Sequence, residues 1–186
     1  NNSPGCYADT LAISGYAAYQ GIPILFTNEK ALPEVTAQAL GAQKVSSTIV
    51  AGGSYVIPQA IMDSLPGAVR YAGEDRYATA TAIARNLNFN RARVFVVTGL
   101  NFADALTAGN LAAHSLSPLI MVDTDVPETT SAFLTDYRET VEELVAVGGE
   151  GIIRADQENN IRNMLPNLDP SQGRCSRQTT AGIIDG

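Results

Sequence analysis

The sequence predicts an α/β protein with a mainly parallel sheet, built as two tandem repeats that pack together. Short apolar runs alternate with longer amphipathic stretches along the 186 residues, which is the element order of α/β folds. The runs at residues 95–97 and 119–122 are apolar at every position, as strands buried on both faces are. This length suits one ordinary domain or two small ones with a sizeable core.

Internal repetition is the second basis of this prediction. Tyr7-Ala8-Asp9-Thr10-Leu11 returns 95 residues later as Phe102-Ala103-Asp104-Ala105-Leu106, and Pro23-Ile24-Leu25-Phe26 returns at the same spacing as Pro118-Leu119-Ile120-Met121. A repeat of this length is longer than solenoid units and closer to a small domain. The chain is therefore expected to hold two similar units.

The repeats divide the chain into three segments. Residues 1–66 form a unit without its opening strand–helix–strand, residues 67–166 form a complete unit, and residues 167–186 are a degenerate start of a further repeat or a tail. Gly52-Gly53 returns 96 residues later as Gly148-Gly149, and each pair follows a predicted strand where a turn needs a permissive backbone. No linker rich in Pro, Gly and Ser separates the units, so one packed body is expected.

The periodicity of apolar residues places the individual elements. Strands are predicted at residues 22–27, 48–51, 69–72, 94–98, 119–122 and 143–147. Helices are predicted at residues 8–19, 33–40, 58–65, 76–87, 102–115, 127–137 and 156–165. Pro33, Pro58 and Pro127 fall where a first helical turn tolerates proline, and Asp75 and Asn101 precede helices as capping residues do.

Charge narrows the class of partner. The chain has a net charge of −7, and residues 123–150 alone account for this charge. An acidic block of this kind indicates a solvated helix face. Residues 70–93 carry a local excess of arginine, which either faces an anionic ligand or is simply exposed. An acidic chain without a long basic run is a poor nucleic-acid binder. No apolar run reaches the ~20 residues of a membrane helix, so no membrane span is predicted.

Common catalytic motifs are missing from the sequence. The one histidine, His114, lies in a predicted helix, where a surface or packed role outweighs that of a base. No HExxH, Walker lysine loop or GxSxG elbow occurs, so no catalytic residue, metal site or cofactor is predicted. Cys6 and Cys175 are not spaced as a zinc site or redox pair. Two alternatives are left open with equal weight: one disulfide that joins the two ends of the chain, or two unpaired thiols.

Three charged residues have both a functional and a structural interpretation. Asp9 and Asp104 each open a predicted helix, and ligands of open α/β sheets bind at the carboxyl ends of the strands. Capping and backbone hydrogen bonding at a tight turn is the alternative, and the duplication favours it. Arg76 either contacts an anion or is a buried arginine paired with Asp75 or Asp104.

Several motifs resemble the cell-wall-binding repeat of type 2. Residues 70–80 resemble its opening, residues 96–106 its central motif and residues 147–149 its closing glycine turn. Pro118-Leu119-Ile120-Met121 is similar to its Pro-Ile-Leu-Leu motif, and Pro23-Ile24-Leu25-Phe26 is a closer copy. The resemblance covers roughly residues 7–165.

The resemblance implies a Rossmann-like fold, with modules usually packed in threes around a pseudo-threefold axis. It also implies a secreted, non-catalytic anchor at the surface of Gram-positive bacteria. Such modules hold a protein non-covalently to anionic polymers of the cell wall, such as teichoic-acid-like or secondary polysaccharides, and are often fused to amidases. Repeated weak contacts along the polymer would supply the affinity.

Carried onto this chain, the resemblance predicts ligand binding by five residues. They are Arg70, Arg76, Asn101, Asp104 and Asp9. The two proline motifs are expected to shape the site or the module interface. No cofactor is expected, although local arginines or a bridging divalent cation would reconcile an acidic protein with an acidic polymer.

The chain departs from the family pattern in ways that leave alternatives open. Two units are visible rather than three, so a homo-oligomer or further repeats of the same type are expected as partners. Cys6 stands at the place of Asn101 in the first unit, and Met121 stands where the family favours Leu. The alternatives are a peptidoglycan-active enzyme fragment that uses the α/β crevice and a pure oligomerisation scaffold.

Overall fold

A computed structural model describes residues 7–168, in which helices and short strands alternate. The helices are α1 (Tyr7–Gln20), α2 (Glu34–Ala42), α3 (Gln59–Ser64), α4 (Arg76–Asn86), α5 (Ala103–Ser115), α6 (Glu128–Asp136) and α7 (Ala155–Asn163). The strands are β1 (Thr48–Ala51), β2 (Ala68–Tyr71), β3 (Arg93–Thr98), β4 (Leu119–Val122) and β5 (Glu143–Val147). None of the helices in these residues is long and apolar enough to cross a bilayer.

The strands form two parallel sheets, which confirms the predicted α/β class. In the larger sheet β3 lies between β4 and β5, with Phe95 opposite both Leu119 and Val145. In the smaller sheet β1 pairs with β2, and Ile49 lies opposite Val69. Every pair is parallel, so helices connect the strands by crossovers over the sheet.

The central strand β3 shows why these residues form a buried strand. Its side chains alternate between two cores. Phe95 and Val97 pack in the core shared with α1 and α5, whereas Val94 and Val96 pack in the core shared with α6 and α7. Because both faces are covered by helices, a run of β-branched and aromatic residues without polar alternation is what this position requires.

The prediction of a strand at residues 22–27 is wrong. These residues are extended without forming a strand, and Ile24, Leu25 and Phe26 are 37%, 43% and 66% exposed. The matching motif in the second repeat, Pro118 to Met121, is buried and supplies all but the last residue of β4. The reason is that β4 pairs with β3, whereas no strand within residues 7–168 lies at the corresponding place beside residues 22–27.

The predicted helix ends agree with the structure to within one or two residues, and their caps explain the agreement. Asp75 caps α4, since its Oδ1 accepts a 2.7 Å hydrogen bond from the Ala78 amide. Pro33, Pro58 and Pro127 each lie directly before the first residue of a helix. Proline suits these positions because it has no amide hydrogen to satisfy there.

The predicted unit boundaries stay predictions, but the structure adds a relevant contact across one of them. Strand β2 follows the boundary expected between residues 66 and 67, yet it pairs with β1 of the preceding unit. Cys6 and Cys175, the candidate disulfide, lie outside the described residues, as do residues 169–186.

The two repeats pack against each other through α1 and α5, along a face of small side chains. Ala8, Ala12, Ala105, Ala108 and Ala112 are almost fully buried there. At the open end of this contact, Tyr7 meets its repeat counterpart Phe102 edge to face, with ring centroids 5.6 Å apart. Small residues let the helix backbones approach closely, so little space is left between the units.

Candidate functional site

The candidate site lies at the carboxyl ends of the strands. In the larger sheet, β3 connects to β4 through α5 on one face, and β4 connects to β5 through α6 on the other. The chain therefore changes direction between β3 and β5, and a crevice opens at such a switch point. The turn after Thr98 and the turn after Val147 border this crevice.

In each repeat an aspartate of the helix lies against the glycine that follows a strand. A methyl group at Gly148 would lie 3.2 Å from Asp104 Oδ2, and a methyl group at Gly52 would lie 3.2 Å from Asp9 Oδ2. Both glycines have positive φ angles, 143° and 132°, which side-chain-bearing residues disfavour. The structure thus brings the predicted residues Asp9 and Asp104 to equivalent places, each against a glycine turn.

The glycine turns themselves are equivalent in their hydrogen bonds. The Gly53 carbonyl accepts from the amides of Val56 and Ile57, at 3.1 and 2.9 Å. The Gly149 carbonyl accepts from the amides at the matching positions 152 and 153, at 2.8 and 3.0 Å. The duplication therefore preserves the backbone around each aspartate, and not only the residue type.

The carboxyl group of Asp9 lies in an environment that shifts its pKa upward. Burial raises the pKa of Asp9 above its ordinary value, and this effect outweighs the lowering by the Arg76 charge and by a hydrogen bond with Thr79. The Thr79 hydroxyl oxygen also accepts from the Gly73 amide, at 3.1 Å. Asp9, on α1, is thus linked to Thr79 and Arg76 of α4.

Arg76 links the first turn of α4 to the turn after β3. Its Nη1 donates a 2.5 Å hydrogen bond to the Gly99 carbonyl. The partners expected from sequence were Asp75 and Asp104, whereas in the structure Asp75 caps α4 and the Arg76 charge acts on Asp9. Gly99 permits this contact, because a methyl group there would lie 2.5 Å from the Tyr77 ring.

A second polar pair beside Arg76 was not found by sequence reasoning. The Tyr77 hydroxyl donates a 2.7 Å hydrogen bond to Asp123 Oδ2, just beyond the end of β4. This bond, with a further one from the Thr124 amide, lowers the pKa of Asp123, and burial together with Asp123 raises the pKa of Tyr77. The sequence feature that could have indicated this pair is the position of Asp123 at the carboxyl end of a buried strand.

Arg70 and Asn101 hold backbone groups in place. Arg70 donates from Nη1 to the Gly52 carbonyl and from Nη2 to the Ile57 carbonyl, both at 2.6 Å. Asn101 is exposed, and its Oδ1 accepts a 3.0 Å hydrogen bond from the Ala103 amide at the start of α5. Arg70 thus clamps the turn that carries Gly52, while ligand binding by either residue stays a prediction.

The other arginines in the described part of the chain already contact carboxylate or carbonyl oxygens. They are Arg85, Arg91, Arg93, Arg138, Arg154 and Arg162. Arg91, for example, donates to three carbonyls at the end of α4. Most of the arginines behind the local excess seen in the sequence therefore contact groups of the protein itself. His114, the lone histidine, is exposed in the last turn of α5.

Comparison with known proteins identifies the family. The Cell wall binding domain 2 (CWB2) family matches residues 1–62 and 70–158, and so covers both repeats. Among solved structures, Cwp8 from Clostridium difficile superposes with a TM-score of 0.72 at 26% identity, over 87% of this chain and 28% of that protein. Cwp6 from Clostridium difficile shares the fold, with a TM-score of 0.70 at 24% identity over 86% of this chain and 26% of Cwp6.

Two curated relatives are longer than this chain. N-acetylmuramoyl-L-alanine amidase LytC of Bacillus subtilis (strain 168) is 28% identical over 171 residues, which cover 90% of this chain and 34% of LytC. The Amidase enhancer of the same organism is 26% identical over 159 residues, or 83% of this chain and 21% of that relative. The residues that the family matches include both aspartate–glycine pairs, and the match confirms the resemblance seen in the sequence motifs. The chain belongs to the Cell wall binding domain 2 family and is a cell-wall-binding module.

Proposed function

We propose that this module is the non-catalytic anchor of a secreted Gram-positive surface protein and binds an anionic wall polymer non-covalently. The observation that carries the proposal is the family match over both repeats. The relatives are three to five times longer than the matched part, since it makes up 34% of LytC and 21% of the Amidase enhancer. A binding part joined to a separate effector accounts for both facts.

Arg76 is the residue best placed to contact an anionic group in this site. A guanidinium has five N–H donors, and the Gly99 carbonyl takes one of them. Arg76 is also the first residue of α4, where the helix dipole favours negative charge. A phosphate or carboxylate of the polymer would accept hydrogen bonds from Arg76 at the edge of the crevice.

The nearby carboxylates limit how tightly one site can bind an anion. Asp9 lies in the field of Arg76, and Asp123 lies across the same edge. Each site is therefore expected to be weak, and repetition of sites along one polymer would multiply the affinity. A third unit, supplied by further repeats or by another copy of the chain, would add to this effect.

A bridging divalent cation is a second way to join an acidic module to an acidic polymer. Within residues 7–168 no three acidic, histidine or cysteine side chains gather as a ready metal site. Such a cation would therefore take part of its oxygen ligands from the polymer and part from Asp9 or Asp104. Chelation of divalent cations separates this route from direct contact by Arg76.

Co-sedimentation of the purified chain with Gram-positive cell walls tests the proposal. Walls are compared before and after acid extraction of the anionic polymers, in rising salt and with or without a chelator. We expect binding that falls with salt and disappears on extraction. Undiminished binding to stripped walls would overturn the anionic polymer as target, and absence of binding to both would overturn the anchoring function.

A matched pair of variants tests the role of Arg76. Arg76→Gln is expected to weaken wall binding several-fold, whereas Arg138→Gln removes the same charge from an exposed side chain that pairs with Glu139 and should leave binding unchanged. Both are measured well below their own melting temperatures, because Arg76 also holds the Gly99 carbonyl. Equal binding by the two variants would remove Arg76 from the site.

A further inference from the structure

The Asp123 carboxylate lies against donors that an anionic group of a polymer would also use. Its Oδ2 accepts a 2.7 Å hydrogen bond from the Tyr77 hydroxyl, and its Oδ1 accepts a 2.6 Å hydrogen bond from the Thr124 amide. These two bonds lower the pKa of Asp123, and the Arg76 charge adds to the lowering. Carboxylate and phosphate oxygens accept from the same kinds of donor. The second repeat therefore contains an anion position, formed by Tyr77, Thr124 and Arg76, that its own side chain fills.

The turn after β3 holds the two side-chain donors of the anion position next to each other. A methyl group at Gly99 would lie 2.5 Å from the Tyr77 ring and 3.1 Å from Arg76 Cδ, so both side chains pack directly on this turn. The Gly99 amide also donates a 2.7 Å hydrogen bond to the Val122 carbonyl, which directly precedes Asp123. Burial and the bond to Asp123 raise the pKa of Tyr77, so its hydroxyl keeps the proton that it donates. The donors are therefore preorganised for an anion.

The main chain at Asp123 is held independently of its carboxylate. The Gln157 side chain, which is buried, donates a 2.8 Å hydrogen bond from Nε2 to the Asp123 carbonyl. The Asp123 amide donates a 3.0 Å hydrogen bond to the Asp125 carbonyl. Asp123 itself is partly exposed. Its carboxylate can therefore leave the anion position by rotation of the side chain, between staggered rotamers, without a change in the backbone.

The first repeat shows that this turn does not require a bond to a distant residue. Asn28 stands at the matching position, 95 residues earlier. Its Oδ1 accepts from the amides of Lys30 and Ala31, at 2.9 and 2.8 Å, so a neutral side chain completes the turn locally. Asp123 instead uses its Oδ2 for Tyr77, 46 residues away along the chain. The bond to Tyr77 is therefore particular to the second repeat.

We propose that Asp123 is a built-in competitor of the polymer, whose anionic group takes the anion position when it binds. Binding displaces the carboxylate from the Tyr77 hydroxyl, which then donates to the polymer together with Arg76. The apparent affinity is reduced by the fraction of molecules in which the position is free. This inference rests on the anionic-polymer function proposed above. It adds Tyr77 as a contact residue and Asp123 as a residue that weakens binding.

Removal of the competing carboxylate tests this inference. Asp123→Ala empties the anion position. The control Asp125→Ala removes the same charge from a neighbouring side chain that is 91% exposed and pairs with Arg154. Co-sedimentation with Gram-positive cell walls measures binding in rising salt, before and after acid extraction of the anionic polymers. Each variant is measured well below its own melting temperature, which separates an effect on binding from an effect on stability.

We expect Asp123→Ala to bind unextracted walls roughly three- to tenfold more tightly than the original chain, because its anion position is free. Asp125→Ala should bind as the original chain does. Asp123→Asn, which loses the charge but keeps an oxygen acceptor, should show a smaller gain. The gain should disappear in the double variant Tyr77→Phe/Asp123→Ala, because the hydroxyl that the polymer gains from Asp123 is then missing.

Equal or weaker binding by Asp123→Ala, with the original chain bound to walls, would overturn this inference and leave the anchoring function intact. Equal gains for Asp123→Ala and Asp125→Ala would also overturn it, because a general loss of negative charge would then explain both. A gain that persists without the Tyr77 hydroxyl would remove Tyr77 from the contact and overturn the competition. Absence of binding by the original chain and by every variant would overturn the anchoring function as well.

Discussion

Ser14 and Gly109 occupy the same position in the two repeats, and they face each other where α1 packs on α5. A methyl group at Gly109 would lie 2.3 Å from Ser14 Oγ, which donates a 2.8 Å hydrogen bond to the Leu11 carbonyl. The side chain of Ser14 therefore occupies the space that the missing side chain of Gly109 leaves. Two identical copies would either clash or leave a void at this point.

This relationship predicts strong coupling between the two positions. Gly109→Ser should lower the free energy of unfolding by about 1–3 kcal/mol through overpacking, and Ser14→Gly by about 1 kcal/mol through helix propensity. The double variant exchanges the two residues and should recover to within about 0.5 kcal/mol of the original chain. Urea denaturation of all four proteins gives the coupling energy. Additive losses would show that the two positions do not meet.

The turn after β5 predicts different responses of two neighbouring glycines. Gly148 has φ 143° and lies against Asp104, whereas a methyl group at Gly149 would meet nothing within 4 Å. Gly148→Ala should cost about 1–3 kcal/mol of stability through backbone strain, and Gly149→Ala should be neutral or slightly stabilising. Thermal denaturation compares them. Equal losses would argue against the close aspartate–glycine contact.

The two proline motifs predict a contrast between residues at matching positions. Ile120 is fully buried in β4, while its counterpart Leu25 is 43% exposed in the extended segment at residues 22–27. Ile120→Ala should destabilise the chain by about 2–5 kcal/mol, and Leu25→Ala by less than about 1 kcal/mol. Urea denaturation of the two variants measures the difference. A large loss for Leu25→Ala would mean that residues 22–27 are already covered in solution.

Asp9 and Asp123 predict opposite effects of pH on stability. Burial raises the pKa of Asp9, so the folded chain holds its proton more tightly than the unfolded chain and loses stability as pH rises from the ordinary carboxyl value through the folded pKa. Asp9→Asn removes this penalty. We expect the variant to melt higher than the original chain at neutral pH, with the difference shrinking as the solution is acidified.

The pKa of Asp123 is lowered by the Tyr77 hydroxyl, so its stabilisation is present at neutral pH and is lost as pH falls through the folded pKa. Asp123→Asn should therefore melt lower than the original chain at neutral pH, and this difference should also shrink in acid. Melting curves from pH 7 down to about pH 3 compare the variants, a range that brackets the ordinary Asp value. Shifts of the same sign for both aspartates would contradict the two environments.

Much of the fold was predictable because its signals are local. Strands β1, β4 and β5 agree with the predicted ranges, β3 differs from its range by one residue at one end, and β2 is shifted from its range by one residue. Asp75 acts as the predicted cap, since a cap bonds to an amide only three residues away. The repeat and its motifs also identified the family, because they lie in a fixed order along the chain.

The site depended on contacts that join distant residues. Asp9 and Asp104 were predicted for the crevice, but the carbonyl partners of Arg76 and Arg70 lie 23 and 18 residues away along the chain. The pair Tyr77 and Asp123 spans 46 residues. Residue type shows that a side chain can donate a hydrogen bond, and only the packed structure decides which carbonyl or carboxylate accepts it.

The two proline motifs show most directly which properties depend on sequence and which depend on tertiary structure. By itself the sequence determined that residues 23–26 and 118–121 are apolar, extended and repeated, because these properties depend on residue type and spacing. Only the tertiary structure decided that one motif forms a buried strand and the other an exposed extended segment. A strand is completed by hydrogen bonds to a neighbour, and β3 supplies that neighbour in the second repeat alone among the described residues.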